Sequence, residues 1–182
     1  YNDPEFSKKD ERRNLIKIFV YSFLYGAMLP KMAQSAGVSI PEMAVFVDKL
    51  NETYPGIDEF KNKVIAQGEK REREEGQGYV VTPSGRRIPC DRGEARVLVN
   101  YLLQGTAAEI LKEALVRLDA AGLTKYLLLP IHDEVVASVP VEDYEWIARD
   151  ISEIMSVKGV YAVDLIAEAE GPFDRWGDKV RL

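Results

Sequence analysis

Glycine and proline divide this chain into segments, helix-length ones first and then alternating strand-length and helix-length ones, and that order limits the folds open to it. The first breaks, Gly26 with Pro30 close behind and then Pro55-Gly56, leave segments long enough for helices. Lys9 to Gly26 reads as one helix, with Asp10 and Glu11 suited to its first turn. Pro41 to Tyr54 reads as a second, because proline fits a first helical position. Asp58 to Glu75 reads as a third, and its charged end, Glu69 to Glu75, reads as a solvated face. The pattern then shortens. Tyr79 to Pro89 holds strand formers on both sides of Pro83-Ser84-Gly85, the composition of a hairpin turn. A long helix fits Gly93 to Ala121. Lys125 to Pro140 carries two apolar runs around a polar tip and reads as a second hairpin. Glu142 to Lys158 is helical again, and Tyr161 to Ala169 reads as a last strand before a tail with Trp176-Gly177. The expected class is α+β, with a helical lobe over residues 1–75 and a sheet-containing lobe over 76–182.

Composition removes several classes of protein. Apolar residues make up 46% and aromatics 9% of the 182 residues, enough for a packed core and too much for a disordered tail. No apolar run reaches the roughly 18 residues of a membrane span. The first dozen residues are polar and charged, unlike a signal peptide, so the expected location is cytoplasmic. Cys90 and His132 are the only residues of their types, so a disulfide framework and a Cys/His zinc site cannot be built within one chain. Carboxylates are left as metal ligands, which favours magnesium or manganese over zinc. A net charge of −6 argues only weakly against nucleic-acid binding, because local basic grooves can coexist with it.

Three groups of residues carry candidate chemistry. Arg13, Lys17, Tyr21 and Tyr25 recur every four positions and share one stripe of the first helix. Two cations followed by two rings can hold a polyphosphate and a sugar or base. The same spacing also fits an amphipathic helix whose cations snorkel beside buried tyrosines. Arg96, Asn100 and Gln104 form a second row, either a set of donors and acceptors that follows a duplex groove or an exposed polar stripe. Gly105-Thr106-Ala107-Ala108 after it are small enough to let another backbone approach. His132-Asp133-Glu134 interrupts two apolar strands; Asp133 is either an outward oxygen ligand for a divalent cation or part of a polar turn facing water.

Taken together, the three groups resemble family A DNA polymerases, the bacterial polymerase I and phage replicative type. Arg13-x-x-x-Lys17-x-x-x-Tyr21-x-x-x-Tyr25-Gly26 is similar to the family's fingers-helix motif. Gln104-Gly105-Thr106-Ala107-Ala108 matches its minor-groove helix, and Ile131-His132-Asp133-Glu134 its palm hairpin. The resemblance implies that Arg13 and Lys17 grip an incoming deoxynucleoside triphosphate, with Lys17 a candidate general acid for the leaving pyrophosphate. Tyr21 then packs on the sugar, where tyrosine goes with poor discrimination against sugars lacking the 3′-hydroxyl, and Tyr25 lies beside the templating base. Asp133 binds the catalytic magnesium ions, with Glu134 and His132 near the primer end. Arg96, Asn100 and Gln104 touch the new duplex, and Arg86 and Arg87 contact backbone nearby. The implied partners are primer-template DNA, the nucleotide and the remaining polymerase segments.

The family's second metal-binding aspartate lies on a strand before the fingers helix, and residues 1–12 hold no match to it. The isolated chain is therefore expected to be inactive, with the rest supplied by a longer polypeptide or a second one. A single-subunit RNA polymerase fragment is the alternative enzyme, although Glu134 and Gln104 to Ala108 favour DNA synthesis. A non-catalytic duplex-binding subunit is the alternative outside enzymes.

Overall fold

Helical caps and turns in the computed structural model follow the punctuation of the sequence, with two exceptions. The structure describes residues 11–175, so Lys9, Asp10 and the Trp176-Gly177 tail lie outside the described residues. The helices are α1 (Glu11–Leu24), α2 (Leu29–Ala36), α3 (Ile40–Thr53), α4 (Pro55–Glu75), α5 (Leu98–Ala120) and α6 (Tyr144–Met155). Two antiparallel hairpins, β1 (Tyr79–Val81) with β2 (Arg87–Pro89) and β3 (Leu127–Ile131) with β4 (Glu134–Ala137), complete an α+β fold that is mostly helical. A 3₁₀ turn, Ala95–Val97, leads into α5, and another, Val141–Asp143, into α6.

Helix α2 is the first exception. Pro30 after Gly26 reads as a stop, yet Pro30 sits in the first turn of α2, where its missing N–H costs nothing. Gly37 ends that helix with φ +68. The second exception is the expected strand at Tyr161 to Ala169, which does not form. Val157 and Leu165 make one isolated antiparallel bridge, and Gly159 N–H donates to Asp164 Oδ1 at 2.8 Å, closing a loop that replaces a ladder. Helix α3 carries a full capping box, in which Ser39 accepts from the Glu42 N–H and the Glu42 carboxylate accepts from Ser39 N–H at 2.9 Å.

The described residues form two compact units, 11–105 and 106–175. The first holds two apolar cores. One gathers Phe23 of α1, Met32 and Ala33 of α2 and Met43 of α3. The other joins Val64 of α4, Val80 of β1, Cys90, Ala95, and Leu98 and Val99 of α5. In the second unit Ala114, Leu118, Leu123 and Ile147 are buried, and Trp146 meets Tyr126 edge to face with ring centres 6.4 Å apart.

Small residues set the approach distances in the second of the two cores. A side chain on Gly68 would collide with Leu98, and one on Gly105 would collide with Ile88. Gly105, the first of the small residues after Gln104, therefore admits an isoleucine side chain from β2. Burial also acts on two titratable groups. It pushes the Cys90 thiol up, helped by the negative charge of Glu72, and it pushes Lys61 down against the opposing pull of Asp58.

The charged end of α4 is only partly a solvated face. Lys70 and Glu74 form an exposed pair at 3.9 Å. Arg71, Glu72 and Glu75, by contrast, lie at helical spacing on the side turned to the hairpin. Arg71 Nη1 donates to Tyr79 O at 2.7 Å, Gly93 N–H donates to the Glu72 carboxylate at 3.1 Å, and Tyr79 Oη donates to Glu75 Oε2 at 2.9 Å. A run of alternating charge can thus fasten one side and face water on the other.

Candidate functional site

The stripe on α1 points away from the core because Phe19 and Phe23, four residues apart, turn the opposite side inward. Lys17 and Tyr21 are exposed, Tyr21 by 52%, while Arg13 and Tyr25 are half-buried. Tyr21 is therefore no core tyrosine. Its ring stacks on that of Tyr25, with centroids 6.0 Å apart and planes 15° apart. Behind the stripe, Lys61 Nζ stands 3.7 Å from the centre of the Phe23 ring.

Gly26 ends this region in the left-handed conformation, φ +75. A Cβ on it would lie 3.6 Å from the carbonyl oxygen of Arg96, so the aromatic end of the stripe adjoins the start of the second row. Arg96 stands in the 3₁₀ turn before α5 and is exposed, as is Gln104. Asn100 between them is half-buried, and its Oδ1 is buried with no hydrogen-bond partner among the described residues.

On the first hairpin, Arg86 occupies the turn and Arg87 the start of β2, both exposed. Arg87 pairs across the ladder with Val81, and its guanidinium carbon lies 4.9 Å from the centre of the Tyr79 ring. This aromatic contact has a sequence signal that the motif reading passes over: Tyr79 and Arg87 fall on one face of a two-stranded ribbon, diagonal neighbours in its register.

In the second unit, Ile131 pairs with Glu134 and leaves His132-Asp133 as a two-residue turn between β3 and β4. His132 takes φ +53, the positive value that tight hairpin turns require at a central position. His132 and Asp133 are exposed and Glu134 is half-buried. The turn offers Asp133 as a hard oxygen donor of the kind magnesium takes, with a second carboxylate one residue on. Among the described residues no group of three or more histidine, cysteine, aspartate or glutamate side chains gathers to hold a metal ion. No helix among them is long and apolar enough to cross a membrane.

Comparison with known proteins gives this arrangement a family. The family model for DNA polymerase family A matches residues 2–178. The DNA polymerase of Mycobacterium phage D29 is 36% identical over 150 residues, covering 82% of this chain and 24% of that protein. The thermostable DNA polymerase I of Thermus aquaticus is 31% identical over 172 residues, covering 87% of this chain and 20% of that one. The chain thus spans about a quarter or less of the curated relatives it matches. Among solved structures, the POL domain of Pol1 from M. smegmatis, in complex with DNA primer-template and dNTP, is similar with a TM-score of 0.69 and 25% identity. The similarity covers 87% of this chain and 29% of that one. A match that takes in the α1 stripe, the Gln104 to Ala108 run and the His132-Asp133-Glu134 turn is enough to place the chain in DNA polymerase family A.

Proposed function

We propose that this chain supplies the nucleotide-gripping and part of the metal-binding machinery of a DNA-directed DNA polymerase, with residues 1–75 as fingers and 76–182 as part of the palm. The observation that carries the proposal is the family match over residues 2–178, which includes all three candidate groups. Arg13 and Lys17 hold the triphosphate, Arg13 by paired hydrogen bonds and Lys17 as a point charge that can pass a proton to the leaving pyrophosphate. Tyr21 packs on the sugar and Tyr25 lies beside the template base, a placement favoured by the exposure of one ring and its stacking on the other. Arg96, Asn100, Gln104, Arg86 and Arg87 contact the duplex, with His132 and Glu134 near the primer terminus.

Bound magnesium supplies activation of the primer hydroxyl and neutralisation of the leaving charge, a two-ion scheme for which polymerases are a standing example. Asp133 is the ligand this chain offers, held outward by the positive φ of His132. One carboxylate does not hold two cations, so a second aspartate comes from polymerase sequence outside these 182 residues.

The test combines the chain with the upstream polymerase segment, magnesium, primer-template and deoxynucleotides. Primer extension is expected from the mixture and not from the chain alone. Asp133→Ala lowers the rate by about a thousandfold or more, the scale of a lost metal contact. Extension that survives Asp133→Ala would falsify the metal role. Duplex binding that ignores magnesium, with no extension from the mixture, would replace the enzyme with a binding module.

A further inference from the structure

We infer that Tyr79 is a positioning residue that holds Arg87 ready for a phosphate of the bound duplex; this rests on the proposed contact of Arg87 with DNA. In the β1–β2 ribbon Val80 pairs with Ile88, and both face the core with Val99. Tyr79 and Arg87 therefore share the opposite face. There Tyr79 is only 8% exposed, with two arginines against its ring and Glu75 at its hydroxyl. The guanidinium carbons of Arg71 and Arg87 lie 4.6 and 4.9 Å from its centre.

The ring is fixed at both ends. Its backbone carbonyl accepts from Arg71 Nη1 at 2.7 Å, and its hydroxyl donates to Glu75 at 2.9 Å. The two arginines differ in what they have left to give. Arg71 is half-buried and already donates to a carbonyl, so it serves as a fastener. Arg87 lies against a ring bonded at both ends and is exposed, so its guanidinium keeps donors for solvent or for a ligand. A planar fork stacked on an aromatic face suits paired hydrogen bonding to a phosphate. Holding it there before binding reduces the rotamer freedom lost on contact, which strengthens binding without a new contact to DNA.

The test has two readouts on the full chain. The first is NMR of the chain without DNA, in which the Arg87 side-chain protons are expected to show upfield ring-current shifts in wild type and Tyr79→Phe, and to lose them in Tyr79→Leu. Absence of the shifts in wild type overturns the inference even if Tyr79→Leu does not fold. The second is the affinity for a fluorescein-labelled DNA hairpin, followed by anisotropy as salt is raised. Arg87→Ala is expected to weaken binding roughly tenfold and to lower the slope of log affinity against log salt by about one. Tyr79→Leu should weaken binding in the same direction, while adding nothing in the Arg87→Ala background. Tyr79→Phe, which keeps the ring, should bind as wild type does. Equal losses from Tyr79→Leu in both backgrounds, no loss from Tyr79→Leu, or a loss from Tyr79→Phe as large as from Tyr79→Leu, overturns the positioning role alone. No hairpin binding by wild type, or no effect of Arg87→Ala, removes the Arg87 contact with DNA and this inference with it.

Discussion

Leu98 occupies the space that a side chain on Gly68 would need. Leu98 is fully buried, so it cannot swing aside, and α4 meets the start of α5 through this glycine. Gly68→Ala sets two effects against each other. Alanine favours the helix by roughly 1 kcal/mol. Overpacking a closed core costs about 1–3 kcal/mol, and the severity of the overlap puts the cost toward the upper end. Net destabilisation is expected, read as a lower denaturant midpoint with an unchanged slope. A variant as stable as wild type would mean that the contact is looser than described.

Lys61 should make stability rise with alkaline pH. Its side chain is 12% exposed and faces the Phe23 ring, and burial lowers its proton affinity in the folded state more than Asp58 raises it. The unfolded chain therefore binds the proton more tightly. Between the lowered folded value and the ordinary value of 10.5 stability increases with pH, and above 10.5 this contribution stops changing. Lys61→Met removes that part of the rise. Denaturation of the two proteins at pH values from neutrality to 11 or so, roughly the span in which lysine titrates, should give a shallower curve for the variant. Parallel curves would show that Lys61 is solvated.

The turn that presents Asp133 depends on a non-glycine residue at φ +53. Histidine tolerates this conformation better than a β-branched residue does. His132→Gly relieves steric cost but adds chain entropy on unfolding, and the two nearly cancel, within about 1 kcal/mol. His132→Val keeps the steric cost and increases it, so it should fall roughly 1–2 kcal/mol below His132→Gly in thermal melts. Equal melting of the two variants would argue against the positive φ.

Much of this molecule can be read before any coordinates are known, because turns and caps are local. Helices α3 and α4 and the first hairpin begin and end within a few residues of their glycine and proline signals, α1 ends two residues before Gly26, and the second hairpin turns at its polar tip. Pro30 misleads because one residue type both stops a helix and starts the next, and only the chain beyond it decides. The run from Tyr161 to Ala169 has strand composition but no ladder; Val160 and Val163 are about 70% exposed, and the bonds of Gly159 and Asp164 favour a loop. The spacing of Arg13, Lys17, Tyr21 and Tyr25 is visible as a stripe. Which side faces the core is decided by Phe19 and Phe23 packing against α2 and α3, a tertiary fact. The grip of Arg71 and Arg87 on Tyr79 likewise depends on which face of the ribbon is turned to α4.

The divided circumference of α4 makes charge reversal there unequal. Glu69, Lys70, Arg73 and Glu74 stand in water, and exchanging their signs disturbs little beyond a weak surface pair. One reversal at Arg71 would bring an acid against the Tyr79 carbonyl and beside Glu75, and the ribbon that carries Arg86 and Arg87 would lose one of its polar anchors to the helix. A helix whose letters look interchangeable thus has one seam along which sequence drift is closed.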